Sequence, residues 1–406
     1  ANRLLRILVA SKLVPFPVAL AVVTIALYAF GYQRRVVEAG IIGALSLFWF
    51  SGVLVYRVIF RSRLRVECDV GSEFVSTLVM VFLTTFACRE GLGLIAIFWS
   101  YFISRIVYLG CCIGVGSQHF QISAKDVKIR DISSTYHMIF AIGMAGFLAV
   151  GYEAVDILLL SRFGSISDIA FYSGAQKLVS PVMLAVAAVA STFYPVFASY
   201  WPRDPVKFQQ TCQRALEVVL VLCGLAITPL IAGSAFFMLL LGPQVAEGSP
   251  ALTGLAILCF LKSVAITLGP ILYIVFAQRQ LLKVVGVALT LKIALIALLT
   301  RHYGYWAVIG TNIFLEFVFA GCAIAMIHHY TRWTANWKKP LKTCAAIILS
   351  AGIPIALHME GILACVAASC IYVSFVLSTG LVRISEVKML LSREAPGVEP
   401  ISATLD

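Results

Sequence analysis

"VGYEAVDILLLSRFGS", residues Val150–Ser165, sets Glu153 and Asp156 three positions apart inside a run otherwise apolar enough to lie in a lipid bilayer. On a helix that spacing puts both carboxylates on one face. A carboxylate in hydrocarbon costs roughly 2.5–3.5 kcal/mol even on lenient insertion scales, so the pair calls for partners or a function. The next apolar segment brings Lys177 back to a similar depth. A hairpin salt bridge of Lys177 with Glu153 or Asp156 is expected, which leaves one carboxylate over.

Outward from this stretch the chain keeps the same solvent. Of its 406 residues 61% are apolar and 12% charged, where soluble domains carry about 25% charged residues. Apolar runs recur near 13–32, 40–60, 73–88, 91–115, 137–161, 168–200, 213–241, 250–276, 281–300, 303–327, 340–357 and 361–382. At roughly 20 residues per crossing these make about twelve transmembrane helices. The fold class is therefore all-α and polytopic, and the two longest runs require an interfacial turn or a strong tilt.

The net charge of +12 invites a nucleic-acid reading, which its distribution removes. With the N-terminus inside, the inner segments hold Arg57, Arg61, Arg63, Arg65, Lys125, Lys128, Arg130, Arg203, Lys207, Arg214, Arg332, Lys338, Lys339 and Lys342, and the outer loops hold Arg34, Arg35, Arg89, Arg162 and Arg301. That bias places both termini in the cytoplasm of a multi-pass protein and explains the charge without nucleic acid. Lys338 and Lys339 with Trp333 and Trp337 form an interfacial anchor at the inner leaflet.

Eleven cysteines are scattered almost singly through the spans, with no CxxC pair and no histidine at ligand spacing. They read as small buried hydrophobes, with no metal, cofactor or disulfide implied. Leu13–Tyr32 is a full span with no small-residue cleavage site after it, so it is not a signal peptide. The opening Ala-Asn-Arg points to a fragment or a processed start.

An internal repeat follows from setting "GLGLIAIFWSYFISRIVYLGCC" (from Gly91) on "HYGYWAVIGTNIFLEFVFAGCA" (from His302). Gly93 falls on Gly304, Ala96 on Ala307, Ser100 on Thr311, Val107 on Val318, Gly110 on Gly321 and Cys111 on Cys322. Repeats of this kind build two-lobed transporters. The same register makes Arg105 the counterpart of Glu316, each near the middle of its span. They either present opposite charges from equivalent places or pair and hold the lobes together.

Lys262 and Lys292 lie near the centres of two successive spans. Arg105, Lys262 and Lys292 against Glu316 give a cationic balance near the midplane, suited to an anionic headgroup. Lysine attracts phosphate as a point charge and arginine can grip it bidentately. An organic-cation transporter would show an acidic cavity instead.

"YEAVDILLLSRFGSISDIAFYSGAQKLVSPVMLAVAAVASTFYPVFASYW", Tyr152–Trp201, resembles the Wzx-like oligosaccharide flippases of the multidrug/oligosaccharidyl-lipid/polysaccharide superfamily. The matching positions are Asp156, Ser161, Gly164, Tyr172, Ala175, Lys177, Leu178 and Pro195. The resemblance implies two pseudo-symmetric lobes and a lipid-diphosphate-linked oligosaccharide as substrate. The lobes would be 1–135, lacking its first two helices, and 136–330, followed by two accessory helices in 331–383 and a cytoplasmic tail, 384–406. It also implies the bacterial inner membrane, with membrane lipids and polysaccharide polymerase and chain-length proteins as partners.

On this reading Arg105, Lys262, Lys292 and Lys177 contact the substrate headgroup, while Asp156, Glu153 and Glu316 couple an ion gradient or bridge the lobes. Pro181, Pro195, Pro229 and Pro270 supply bend points for alternating access. A cation-coupled multidrug antiporter of the same superfamily shares the architecture, and a truncated homologue would not transport at all. A membrane glycosyltransferase or polymerase needs catalytic acids in a sizeable outer loop, which the sequence does not contain, so no enzyme is expected.

Overall fold

The computed structural model describes residues 16–62, 66–119, 150–275 and 278–381. Expectations on Arg63, Arg65, Lys125, Lys128, Arg130, on 13–15 and 137–149 of two spans, and on the 384–406 tail lie outside the described residues. The chain divides into two compact units, Ala1–Met144 and Ala145–Asp406.

The first unit contains α1 (Phe16–Ala29), α2 (Arg34–Ser62), α3 (Val66–Arg89) and α4 (Gly93–His119). Helix α2 packs on α4, α3 on α4, and α1 on α2. Val53, Phe60, Tyr108 and Cys112 form its buried apolar centre. Large apolar side chains such as Val81, Phe82 and Phe86 face outward, which suits a lipid solvent.

The second unit begins with a helix over 150–163, α5, and continues with α6 (Ile166–Thr192), α7 (Tyr194–Tyr200), α8 (Pro205–Ala232), α9 (Ser234–Leu241), a 3₁₀ turn (Pro243–Gly248), α10 (Ser249–Ile274), α11 (Gln278–Tyr303), α12 (Tyr305–Thr331), α13 (Lys338–Ala356) and α14 (Gly361–Ser378). Helix α10 lies at the centre, packed on α6, α8 and α12, and α11 packs on α12. Helices α13 and α14 pack on each other and on α8.

Among the described residues ten helices are long and apolar enough to cross a membrane. The protein is a polytopic all-α membrane protein. The two longest apolar runs each contain a break. The first stops at Phe193 and restarts at Tyr194, with Pro195 in the opening turn, where a missing N–H does no harm. The second stops at Gly233, whose added Cβ would collide with Cys365 Sγ. Pro181, Pro229 and Pro270 lie inside α6, α8 and α10.

The turn between α5 and α6 is closed by a capping box. Ser165 Oγ accepts from Asp168 N at 3.1 Å, and Ser165 N donates to Asp168 Oδ2 at 3.0 Å. Asp168 Oδ1 also accepts from Tyr305 N at 3.2 Å, tying the start of α6 to the start of α12. Gly304, at φ 54° and ψ −135°, is where the chain passes that carboxylate: any Cβ there would strike Asp168, and the backbone region is open essentially to glycine alone. Its repeat counterpart Gly93 also has positive φ, 78°.

Candidate functional site

Five ionisable side chains meet in the second unit, carried by α5, α10, α11 and α12. Lys292 of α11 is fully buried, and its ammonium lies 2.9 Å from Asp156 Oδ1 of α5. The same ammonium donates to the Tyr152 carbonyl oxygen and sits 3.8 Å from the centre of the Tyr152 ring. Asp156 Oδ2 accepts from Tyr172 OH at 3.1 Å and from Asn312 Nδ2 at 3.0 Å. This carboxylate is thus ion-paired on one oxygen and doubly hydrogen-bonded on the other, the arrangement that allows a charge to be kept away from water.

The second pair is built differently. Lys262 of α10 donates to both oxygens of Glu153, at 2.7 and 2.9 Å. The lysine side chain is 12% exposed, but the glutamate is 55% exposed. One turn of α5 separates Glu153 from Asp156, and that turn separates an open pair from a sealed one.

Glu316 of α12 completes the group. It is buried, 6% exposed, and makes no hydrogen bond or close ion pair among the described residues. It lines a cavity of about 260 Å3 together with Glu153, Lys262, Tyr152 and Phe319. A second cavity of about 400 Å3 shares Glu153, Lys262, Met183 and Ile266 with the first and extends along α6 past Tyr172 and Gln176. The Lys262–Glu153 pair therefore stands in the wall common to both.

Two expectations are corrected by this geometry. Lys177 pairs with neither carboxylate. It is exposed, while Tyr172, Ala175 and Val179 form the buried face of α6, and a residue two positions from Ala175 and from Val179 points away from that face. Nor does the expected balance of Arg105, Lys262 and Lys292 against Glu316 lie within one unit: Arg105 lies in the first, and in the second the acids Glu153 and Asp156 of α5 join Glu316, so that three carboxylates meet two lysines when all are ionised.

Arg105 belongs to the first unit. Its guanidinium lies between the rings of Phe50 and Tyr101, 4.7 and 4.6 Å from their centres, and Nη2 donates to Tyr101 OH at 2.8 Å. Its Nε is buried without a partner, and among the described residues no carboxylate pairs with it. Of the four cations expected at a headgroup, Lys262 and Lys292 are neutralised in place, whereas Arg105 and Lys177 pair with no acid among the described residues.

The sequence reading missed two features. Asn312 was passed over although an amide in the middle of an apolar span signals a buried partner. Arg57 was counted only as an inner-side cation. In the first unit its Nε lies 3.0 Å from Asp69 Oδ2, and its Nη2 donates to Glu73 Oε2 at 2.9 Å and to Tyr108 OH at 2.8 Å. Tyr108 OH donates to Asp69 Oδ1 at 2.8 Å, closing the network. Asp69 and Glu73, four apart at the start of an apolar helix, were the visible signal.

Comparison with known proteins supplies the context for these charges. The family described as "Polysaccharide biosynthesis protein" matches residues 8–250, more than half of the chain. The fold is similar to a solved structure titled "Lipid II flippase MurJ, inward closed conformation", with a TM-score of 0.72 at 13% identity, covering 96% of this chain and 84% of that one. A search of curated proteins finds no match. A polytopic helical chain with paired charges inside its membrane spans, matched over most of its first two-thirds by that family, belongs to the polysaccharide biosynthesis protein family.

Proposed function

We propose that the protein is a transporter that flips a lipid-diphosphate-linked oligosaccharide across the bacterial inner membrane, supplying O-antigen, capsule or exopolysaccharide assembly. Family membership and a fold like that of a lipid II flippase support this reading. The observation that carries it to particular residues is Arg105, a guanidinium inside a membrane span, steadied by two aromatic rings and paired with no carboxylate among the described residues. An unneutralised cation there has a use if an anionic group visits it, and arginine's fork suits a diphosphate.

On this reading the lobes are 1–135 and 136–330, with accessory helices in 331–383, both termini cytoplasmic, and transport by alternating access. Polysaccharide polymerase and chain-length proteins would receive the product. Glu153, Lys262 and Glu316 serve coupling: the excess carboxylate attracts a proton or small cation, and the open Lys262–Glu153 pair is the one able to change partners. Lys292 and Asp156 hold α5 to α11.

The acid excess in the second unit also favours a second reading, a cation-coupled antiporter that exports organic cations. One experiment separates the two. Proteoliposomes of the full chain are loaded with a fluorescent lipid-diphosphate oligosaccharide, and flipping is read by quencher accessibility beside uptake of a labelled organic cation. Arg105→Gln is expected to reduce flipping at least tenfold while Arg105→Lys retains part of it. Cation uptake with no flipping, unaffected by Arg105→Gln, would establish the antiporter instead.

A further inference from the structure

Helix α10 turns one face toward the second cavity. Leu255, Leu258, Cys259, Lys262 and Ile266 line it, at the i, i+3, i+4, i+7 spacing of a single helical stripe. Helix α8 packs on α10 and brings Cys223 against Cys259, so that the two sulfurs lie 3.9 Å apart. Both residues are buried, 0% and 1% exposed, within the apolar core that also holds Val219, Leu252 and Tyr372. Thirty-six positions separate the two cysteines in the chain, so no spacing motif announces them.

A single buried thiol is a small apolar side chain. Two in contact form a chelate, because once one sulfur has bonded a thiophilic centre the other meets it at high effective concentration. A disulfide would need the sulfurs to close to about 2.05 Å. Zinc asks for four ligands, and among the described residues no group of three or more His, Cys, Asp or Glu is placed to hold a metal ion. The pair therefore suits a centre satisfied by two sulfurs. That centre must also arrive and stay uncharged, since an ion brought into this interior carries a heavy desolvation cost.

We propose that Cys223 and Cys259 form a binding site for an uncharged trivalent arsenical, of the arsenous acid or aryl arsenoxide type, which enters through the cavity and bridges α8 to α10. Two arsenic–oxygen bonds are replaced by two arsenic–sulfur bonds, both thiol protons leave with oxygen as water, and no oxidant is involved. The third substituent on arsenic has room in the cavity of about 400 Å3, where Val179, Met183, Leu255 and Leu258 suit an apolar group. Lys262 lies one turn from Cys259 on the same stripe, so an occupied site pins α10 beside the Lys262–Glu153 pair and stops transport. That last step rests on the transport reading above, whereas binding does not.

The test uses the full chain in mild detergent, incubated with equimolar phenylarsine oxide and read by intact mass and peptide mapping. The wild-type protein is expected to carry one phenylarsenic group that links the peptides of Cys223 and Cys259, a readout that needs no variant to fold. The adduct should survive excess 2-mercaptoethanol, which offers one sulfur at a time, and be removed by 2,3-dimercaptopropanol, which offers two. Cys223→Ala and Cys259→Ala are each expected to lose it, whereas Cys212→Ala, which removes another buried thiol of α8, keeps it. In proteoliposomes the arsenical should abolish transport by the wild-type protein, the dithiol should restore it, and Cys223→Ala should resist. Linkage to other cysteines, release by the monothiol, or retention by both single variants would each overturn the site. A linked pair with undiminished transport would overturn its effect on α10, and an untreated protein that transports nothing would count against the transport reading alone, the mass readout still deciding the site.

Discussion

Lys292 Nζ and Asp156 Oδ1 lie 2.9 Å apart, with side chains 0% and 2% exposed, and the carboxylate's other oxygen is held by Tyr172 and Asn312. Removing one member strands the other in a place that water does not reach. Lys292→Met or Asp156→Asn alone is expected to cost about 3–5 kcal/mol, and the double variant to recover much of it. Thermal unfolding of the four proteins in detergent gives the coupling directly; additive losses would show that the pair does not act as a unit.

The neighbouring pair should behave differently. Because Glu153 is 55% exposed, Lys262→Gln is expected to lower stability by less than about 1 kcal/mol. If Lys262 serves coupling, the same variant should still weaken transport in the flipping assay. A loss of stability comparable to that of Lys292→Met would show the pair to be structural instead.

In the first unit Tyr108 OH both donates to Asp69 and accepts from Arg57. Tyr108→Phe keeps the ring and removes the bridge, leaving Asp69 Oδ1 with only the longer 3.2 Å bond from Arg57 Nε. A loss of about 1–3 kcal/mol is expected, the range for a buried polar group deprived of its partner. Chemical unfolding curves of the two proteins, compared at unchanged slope, measure it.

Asp204 caps the start of α8, where its carboxylate accepts from Lys207 N at 3.0 Å. That bond and the Lys207 ammonium hold its pKa below the ordinary value. A depressed acid stabilises the folded form above its unfolded pKa of about 3.9 and loses the contribution as the pH falls through the lower folded value. Asparagine caps nearly as well without titrating. Between pH 6 and pH 3 the unfolding midpoint of the wild-type protein should therefore fall further than that of Asp204→Asn; parallel curves would remove the cap from the acid response.

Hydropathy is local, so the spans could be read from short windows, and the excess length of 168–200 and 213–241 was visible too, while the choice of a break over a tilt was made by the structure. The capping box at Ser165 and Asp168 is local too, whereas Gly304 is needed where the chain passes the Asp168 carboxylate, a contact only the folded unit makes. The hairpin of Asp156 and Tyr172 was visible as a pattern, although its hydrogen bond was not.

What the sequence by itself determined is the solvent, the helical architecture and the presence of charges that a bilayer does not accept alone. Which charges neutralise one another was decided by tertiary structure. Lys262 reaches Glu153 across 109 residues of chain and Asn312 reaches Asp156 across 156, while Lys177, nearer in sequence to both acids, points elsewhere. The energetic demand belongs to each charged residue, but its partner depends on which helix faces pack together, and α10, α11 and α12 bring their side chains to α5 only once the unit has folded.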